Sequence, residues 1–122
     1  MVNKVSDMLD YFHDNYDRDL DEHQLVLMVY LADWRSCLVN GEQITDIEWT
    51  TDLYYWKPHK IRDQKVVQDG IEPVLDHVLG ATEDVMFLEV LAESTYPLVG
   101  YTSDDSLNLP ELASEYQKKK EN

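Results

Sequence analysis

The segment from Asp21 to Asn40 constrains the rest of the chain more than any other. At helical spacing Leu25, Met28, Val29, Ala32 and Leu38 lie on one side, and Leu27, Tyr30, Leu31 and Trp34 cover the next. A helix apolar round most of its circumference has to be surrounded by other elements, so this one is predicted to be central. Asp21 and Gln24 have capping-box spacing at its start, and Gly41 stands where a C-terminal stop belongs. The apolar run nevertheless ends in Asp33-Trp34-Arg35. Two residues apart on a helix, Asp33 and Arg35 do not face each other, so each must find a backbone group or a charge elsewhere.

The flanking pattern predicts further helices. Val5, Met8, Leu9, Phe12 and Tyr16 share one helical face, with Ser6 or Asn3 as the cap and residues 15–19 as the end. A helix is predicted over Ile71–Leu79, with Pro73 in its first turn and Gly80 after its end. Thr82 is placed to cap the next, whose inner face is Val85, Leu88, Leu91 and Ala92 and which closes at Tyr96-Pro97. After an irregular stretch over 99–108, Pro110 starts a last helix through Tyr116, with Lys118, Lys119 and Lys120 at the end where cations suit the dipole. Between Ile47 and Trp56 the period changes to two: Ile47, Trp49, Thr51, Leu53 and Tyr55 alternate with Glu48, Thr50, Asp52, Tyr54 and Trp56. That reads as a strand or short hairpin that Pro58 ends or turns. Residues 57–70 carry no assignable period. The expectation is one mainly α domain over residues 1–122, compact and helical, with a short β element after the central helix.

Charge and composition narrow the function. The chain has 122 residues, of which 43% are hydrophobic, enough for one core without staples. Its net charge is −15, and from Asp63 to Glu115 twelve carboxylates stand against a single base, Lys65. Such a field repels nucleic acid and anionic membranes; it solubilises the protein or meets a basic partner. No apolar run is long enough to span a bilayer, and the acidic, amphipathic MVNKVSDMLDYFHD is unlike a leader peptide. A soluble cytoplasmic protein is expected.

Templates for chemistry fail in turn. His13, His23, His59 and His77 form no ligand-spaced pair. The calcium-loop start at Asp17-Arg18-Asp19-Leu20-Asp21 breaks where Glu22 replaces the glycine and Met28 the closing glutamate. Cys37, the single cysteine, sits among leucines and reads as a buried structural thiol. No phosphate-cradling glycine pattern or nucleophile motif occurs, so no catalytic residue, metal or cofactor is assigned and a non-enzyme is expected. What remains is aromatic. Alternation puts Trp49 with Ile47 and Leu53 on the core face and sends Tyr54 and Trp56 to the opposite one, beside Lys57, His59 and Lys60. Exposed rings next to bases have the composition of a protein-binding hot spot, with Trp49 anchoring the fold.

Tyr30-Leu31-Ala32-Asp33-Trp34-Arg35, then Gly41, Ile44-Thr45 and Trp49, resemble the signature of the Panacea domain, the SocA-like antitoxin family. Glu93-Ser94-Thr95-Tyr96-Pro97-Leu98, and Leu109-Pro110-Glu111-Leu112-Ala113 with Tyr116, resemble that family's closing segment, so the likeness spans residues 20 to 117. It implies a bacterial or phage protein that neutralises a small toxin by binding it, some members instead presenting the toxin to a protease. It also implies that Asp33, Trp34, Arg35 and Trp49 form a structural clamp where the central helix turns into the strand. One departure is Tyr54-Tyr55-Trp56-Lys57-Pro58, which lacks the glycine of the family's aromatic Gly-Pro turn and fits a different partner. The alternative is a phage-encoded acidic inhibitor whose carboxylates imitate nucleic acid and block a host nuclease or defence protein.

Overall fold

The computed structural model describes residues 3–16, 19–49, 61–82 and 109–121. Within them lie four helices: α1 (Val5–Asn15), α2 (Glu22–Asn40), α3 (Glu72–Ala81) and α4 (Leu109–Glu121). The described part of the chain is mainly α. Every residue from Val26 to Trp34 is buried, which on a helix means burial on all sides. The other three helices supply that cover, each packing against α2, and α1 also touches α3. The capping box forms in both directions: Gln24 N–H donates to Asp21 Oδ1 at 2.8 Å, and Asp21 N–H to Gln24 Oε1 at 3.0 Å. Gly41 closes the helix in the left-handed region at φ 77°, donating its N–H to the Cys37 carbonyl.

The outer helices each bury a narrow stripe. On α1 it is Val5, Met8, Leu9 and Phe12, continued by Tyr16. Neither Asn3 nor Ser6 caps this helix. Ser6 already lies inside its first turn, and the Asp7 carboxylate reaches back to accept the N–H groups of Asn3 (3.0 Å) and Lys4 (3.1 Å). Those two donors hold Asp7 below the usual carboxylate range. Helix α3 runs through Gly80 rather than stopping before it, and ends at buried Thr82, whose hydroxyl donates to the Val78 carbonyl at 2.6 Å. On α4, Leu109 and Ala113 are buried, and Tyr116 lies against Trp34 with ring centroids 5.8 Å apart. Gln117 Nε2 donates to the Leu38 carbonyl, one of the acceptors that the end of α2 leaves without a helical partner.

The β element departs from expectation. Thr45, Ile47 and Trp49 are buried while Asp46 and Glu48 are exposed, so the inside–outside alternation is real. Yet Ile47–Trp49 forms no strand, and pairing among the described residues is confined to two isolated antiparallel bridges, Thr45 with Val66 and Lys4 with Lys65. Residues 65–67 thus lie between 3–5 and 44–46, joined by Val67 N–H to Ile44 O (2.7 Å) and Val66 N–H to Asn3 O (3.1 Å). On the edge turned away from 65–67, side chains take the backbone groups, so among the described residues no further strand pairs there. Ile44 and Thr45 N–H go to Asp33, Ile47 N–H goes to Thr45 Oγ1, and the Thr45 and Ile47 carbonyls go to Gln43. Residues 50–56 of the expected strand, the helix expected after Thr82 and the stretch 99–108 lie outside the described residues.

Candidate functional site

Asp33 sits in the wholly buried part of α2, where a carboxylate is tolerated only if its oxygens are satisfied. The segment after Gly41 supplies the donors. Oδ1 accepts the N–H groups of Ile44 (2.9 Å) and Thr45 (3.0 Å). Oδ2 accepts the Thr45 hydroxyl (2.6 Å), the Trp49 indole N–H (2.7 Å) and, more distantly, the Gln43 amide (3.4 Å). Burial pushes the Asp33 carboxyl up to about 6, while the hydrogen bonds from Thr45, Trp49 and Ile44 pull it the other way. Cys37, one turn further along α2, is pushed up to about 12, first by burial and then by the Asp33 charge. A thiol held so far from its thiolate is a packing group rather than a nucleophile.

The Trp49 ring is fully buried, edge-on to Tyr30 with centroids 5.4 Å apart and planes at 85°. It therefore fixes the segment at two points on α2, by packing on Tyr30 and by hydrogen bonding to Asp33. A second amide extends the web. Gln68 Nε2 donates to Ser36 Oγ (3.1 Å), Glu42 O (3.1 Å) and Gln43 O (2.8 Å), tying residues 61–70 to the same turn. Lys65 N–H adds a bond to the Asp46 carboxylate at 3.0 Å.

Of the four clamp residues, the structure brings Asp33 and Trp49 together. Trp34 instead lies under Tyr116 of α4, and half-buried Arg35 makes no ion pair or side-chain hydrogen bond with a described residue. Tyr54, Trp56, Lys57, His59 and Lys60 lie outside the described residues. Sequence reasoning missed Gln43, Ser36 and Gln68. A signal existed for Gln43, because a carboxylate inside an aliphatic helix demands donors and Gln43 is a donor just past the turn. Gln68, in a polar stretch without periodicity, gave none.

No family model matches the chain, and neither a curated protein nor a solved structure matches it. The likeness to the Panacea domain therefore rests on the residues quoted for it. The site itself defines a polar hub that seats one connecting segment on a buried helix.

Proposed function

We propose that this is a non-enzymatic, antitoxin-like interaction protein that acts in the cytoplasm and neutralises a small protein toxin by binding it. Tyr54, Trp56, Lys57, His59 and Lys60 make the contact, the two rings as anchors and the bases as the polar surround. One observation carries the reading. The residues that flank 50–60, Trp49 and Ile61, are both fully buried. Both flanks are also tied down beside the end of α2, Trp49 to Asp33 on that helix and the 61–70 side through Gln68 to the turn after it. A recognition segment anchored at both ends loses less freedom on binding than a free one, which favours affinity. The signature resemblance supports the same reading.

A second reading has its own support. Asp10 and Asp14 on α1 and Glu72 and Asp76 on α3 are exposed, and the Tyr11 hydroxyl bonds to Asp76 across the two helices. An acidic surface spread over two joined helices suits a nucleic-acid mimic. Affinity capture from the native host with the full chain as bait, read by mass spectrometry, separates the two. A small toxic protein that is captured by the wild type and lost with Trp56→Ala supports the first reading. A nuclease or defence protein kept by Trp56→Ala and released steeply as salt rises would refute it in favour of the second.

A further inference from the structure

Asp33 is the one fully buried carboxylate among the described residues, and all its donors come from a single segment, Gln43–Trp49. As a carboxylate it accepts and never donates. Once protonated it must direct one proton at an acceptor. The backbone N–H groups of Ile44 and Thr45, the indole N–H of Trp49 and the amide nitrogen of Gln43 cannot accept it. The Thr45 hydroxyl can. Its oxygen already takes the Ile47 N–H at 3.2 Å and has one lone pair left, and its 2.6 Å separation from Oδ2 suits an O–H···O bond running either way. Reversing that bond frees the threonine proton to turn elsewhere and leaves Oδ2 with less capacity for Trp49 and Gln43. Two hydrogen-bond arrangements thus differ by one proton, and burial, which pushes the Asp33 carboxyl up to about 6, brings both within reach close to neutral pH.

We propose that Asp33 is a proton-operated latch whose charge state selects between two seatings of the Gln43–Trp49 segment, and through Trp49 sets how the following segment is anchored. Among the described residues few other ionisable groups complicate the switch. On α2, half-buried Arg35 stands two residues along and faces elsewhere, and Cys37, one turn along, senses the Asp33 charge and stays a thiol. On the segment itself Asp46 and Glu48 are exposed, as is Lys65 on the stretch that pairs with it. The helices packed on α2 keep most of their charges outside: Asp10, His13 and Asp14 on α1, Glu72, Asp76 and His77 on α3, and Glu111, Glu115 and Lys118 on α4 are exposed, while half-buried Asp7 on α1 is occupied by the N–H groups of Asn3 and Lys4. The latch holds whatever residues 50–60 bind, so it does not depend on the functional reading above.

The test is a nuclear magnetic resonance titration of the full wild-type chain from about pH 4 to about pH 8, spanning the ordinary carboxyl and imidazole ranges. It follows the Asp33 carboxyl carbon and the indole N–H resonances of Trp34 and Trp49. The carboxyl is expected to titrate with a midpoint near 6, and the Trp49 indole to move with the same midpoint while Trp34 does not. In Asp33→Asn the Trp49 movement disappears. A carboxyl midpoint below about 4.5, in the ordinary aspartate range, overturns the latch. So does a Trp49 indole that stays still while Asp33 titrates. The wild-type titration decides the matter even if the variant does not fold.

Discussion

Replacing Trp49 with phenylalanine separates the two jobs of that ring. The variant keeps an aromatic ring for the edge-on contact with Tyr30 and deletes the indole N–H that meets Asp33 at 2.7 Å. A hydrogen bond to a charged group is worth about 1.5–3 kcal/mol, and the smaller ring leaves a void in a fully buried place that adds roughly 1–2 kcal/mol. The expected loss is therefore about 2.5–5 kcal/mol at pH 7.5. Trp49→Ala also removes the packing, about 3–5 kcal/mol for such a truncation, so its total of roughly 5–8 kcal/mol approaches the whole stability of an ordinary domain. Urea melts followed by far-ultraviolet circular dichroism measure both without relying on the altered fluorescence. If Trp49→Phe loses less than about 1 kcal/mol, within the range of unimportant sites, the indole–carboxylate bond does not hold the segment and the hub has been misassigned.

Leu31→Ala, in the stretch of α2 buried on all sides, should lower stability by about 2–5 kcal/mol in urea melts; an unmoved midpoint would contradict the central place of that helix. Asp21→Ala removes the carboxylate that accepts the Gln24 N–H, leaving only the backbone half of the capping box, and should destabilise by about 0.5–2 kcal/mol, read as a lower thermal midpoint. Because burial raises Asp33 from 3.8 to about 6, the native state holds that proton more tightly than the unfolded chain. Its contribution is complete below about pH 4 and is lost as pH rises through about 6, some 3 kcal/mol in all. Urea midpoints should fall from pH 5 to pH 7.5 in the wild type, with that component missing in Asp33→Asn; a wild-type midpoint that rises over the window refutes the assignment. Asp7 works in the opposite sense, its contribution being lost only as pH falls through its depressed value.

The central helix was legible because its apolar residues fill every side, and both of its ends carry residues with one structural use, Asp21 with Gln24 and Gly41. The stripe on α1 was equally plain, whereas for α3 and α4 the helices and their ends were read without their buried faces. Gly80 misled because a glycine near a helix end can be a stop or an ordinary exposed position, and local sequence does not distinguish them. The strand was the instructive miss. Burial alternates through Thr45, Ile47 and Trp49 as a strand's would, but a strand is defined by partners across a ladder, and here a carboxylate and an amide on side chains occupy those places. Asp33 itself announced a demand for a backbone group or a charge; the backbone N–H groups of Ile44 and Thr45 meet it, and the Thr45 hydroxyl and Trp49 indole were not foreseen. Gln68 reaches the site only because residues 61–70 fold back across the turn after α2, a long-range event with no periodic trace.

The position of residues 65–67 between the start of the chain and the exit of α2 also dictates an order of assembly. Pairing Thr45 with Val66 closes a short loop. Pairing Lys4 with Lys65 closes one about three times as long, at an extra chain-entropy cost of about 1 kcal/mol. The α2 side should therefore zip first, and the N-terminal residues should join an edge already in place. Until they do, the Val5 and Ser6 N–H groups lack their acceptors, the carbonyls of Gln64 and Arg62. The first turn of α1 thus waits on a distant part of the chain, and a helix with a fully buried face becomes one of the last to be secured.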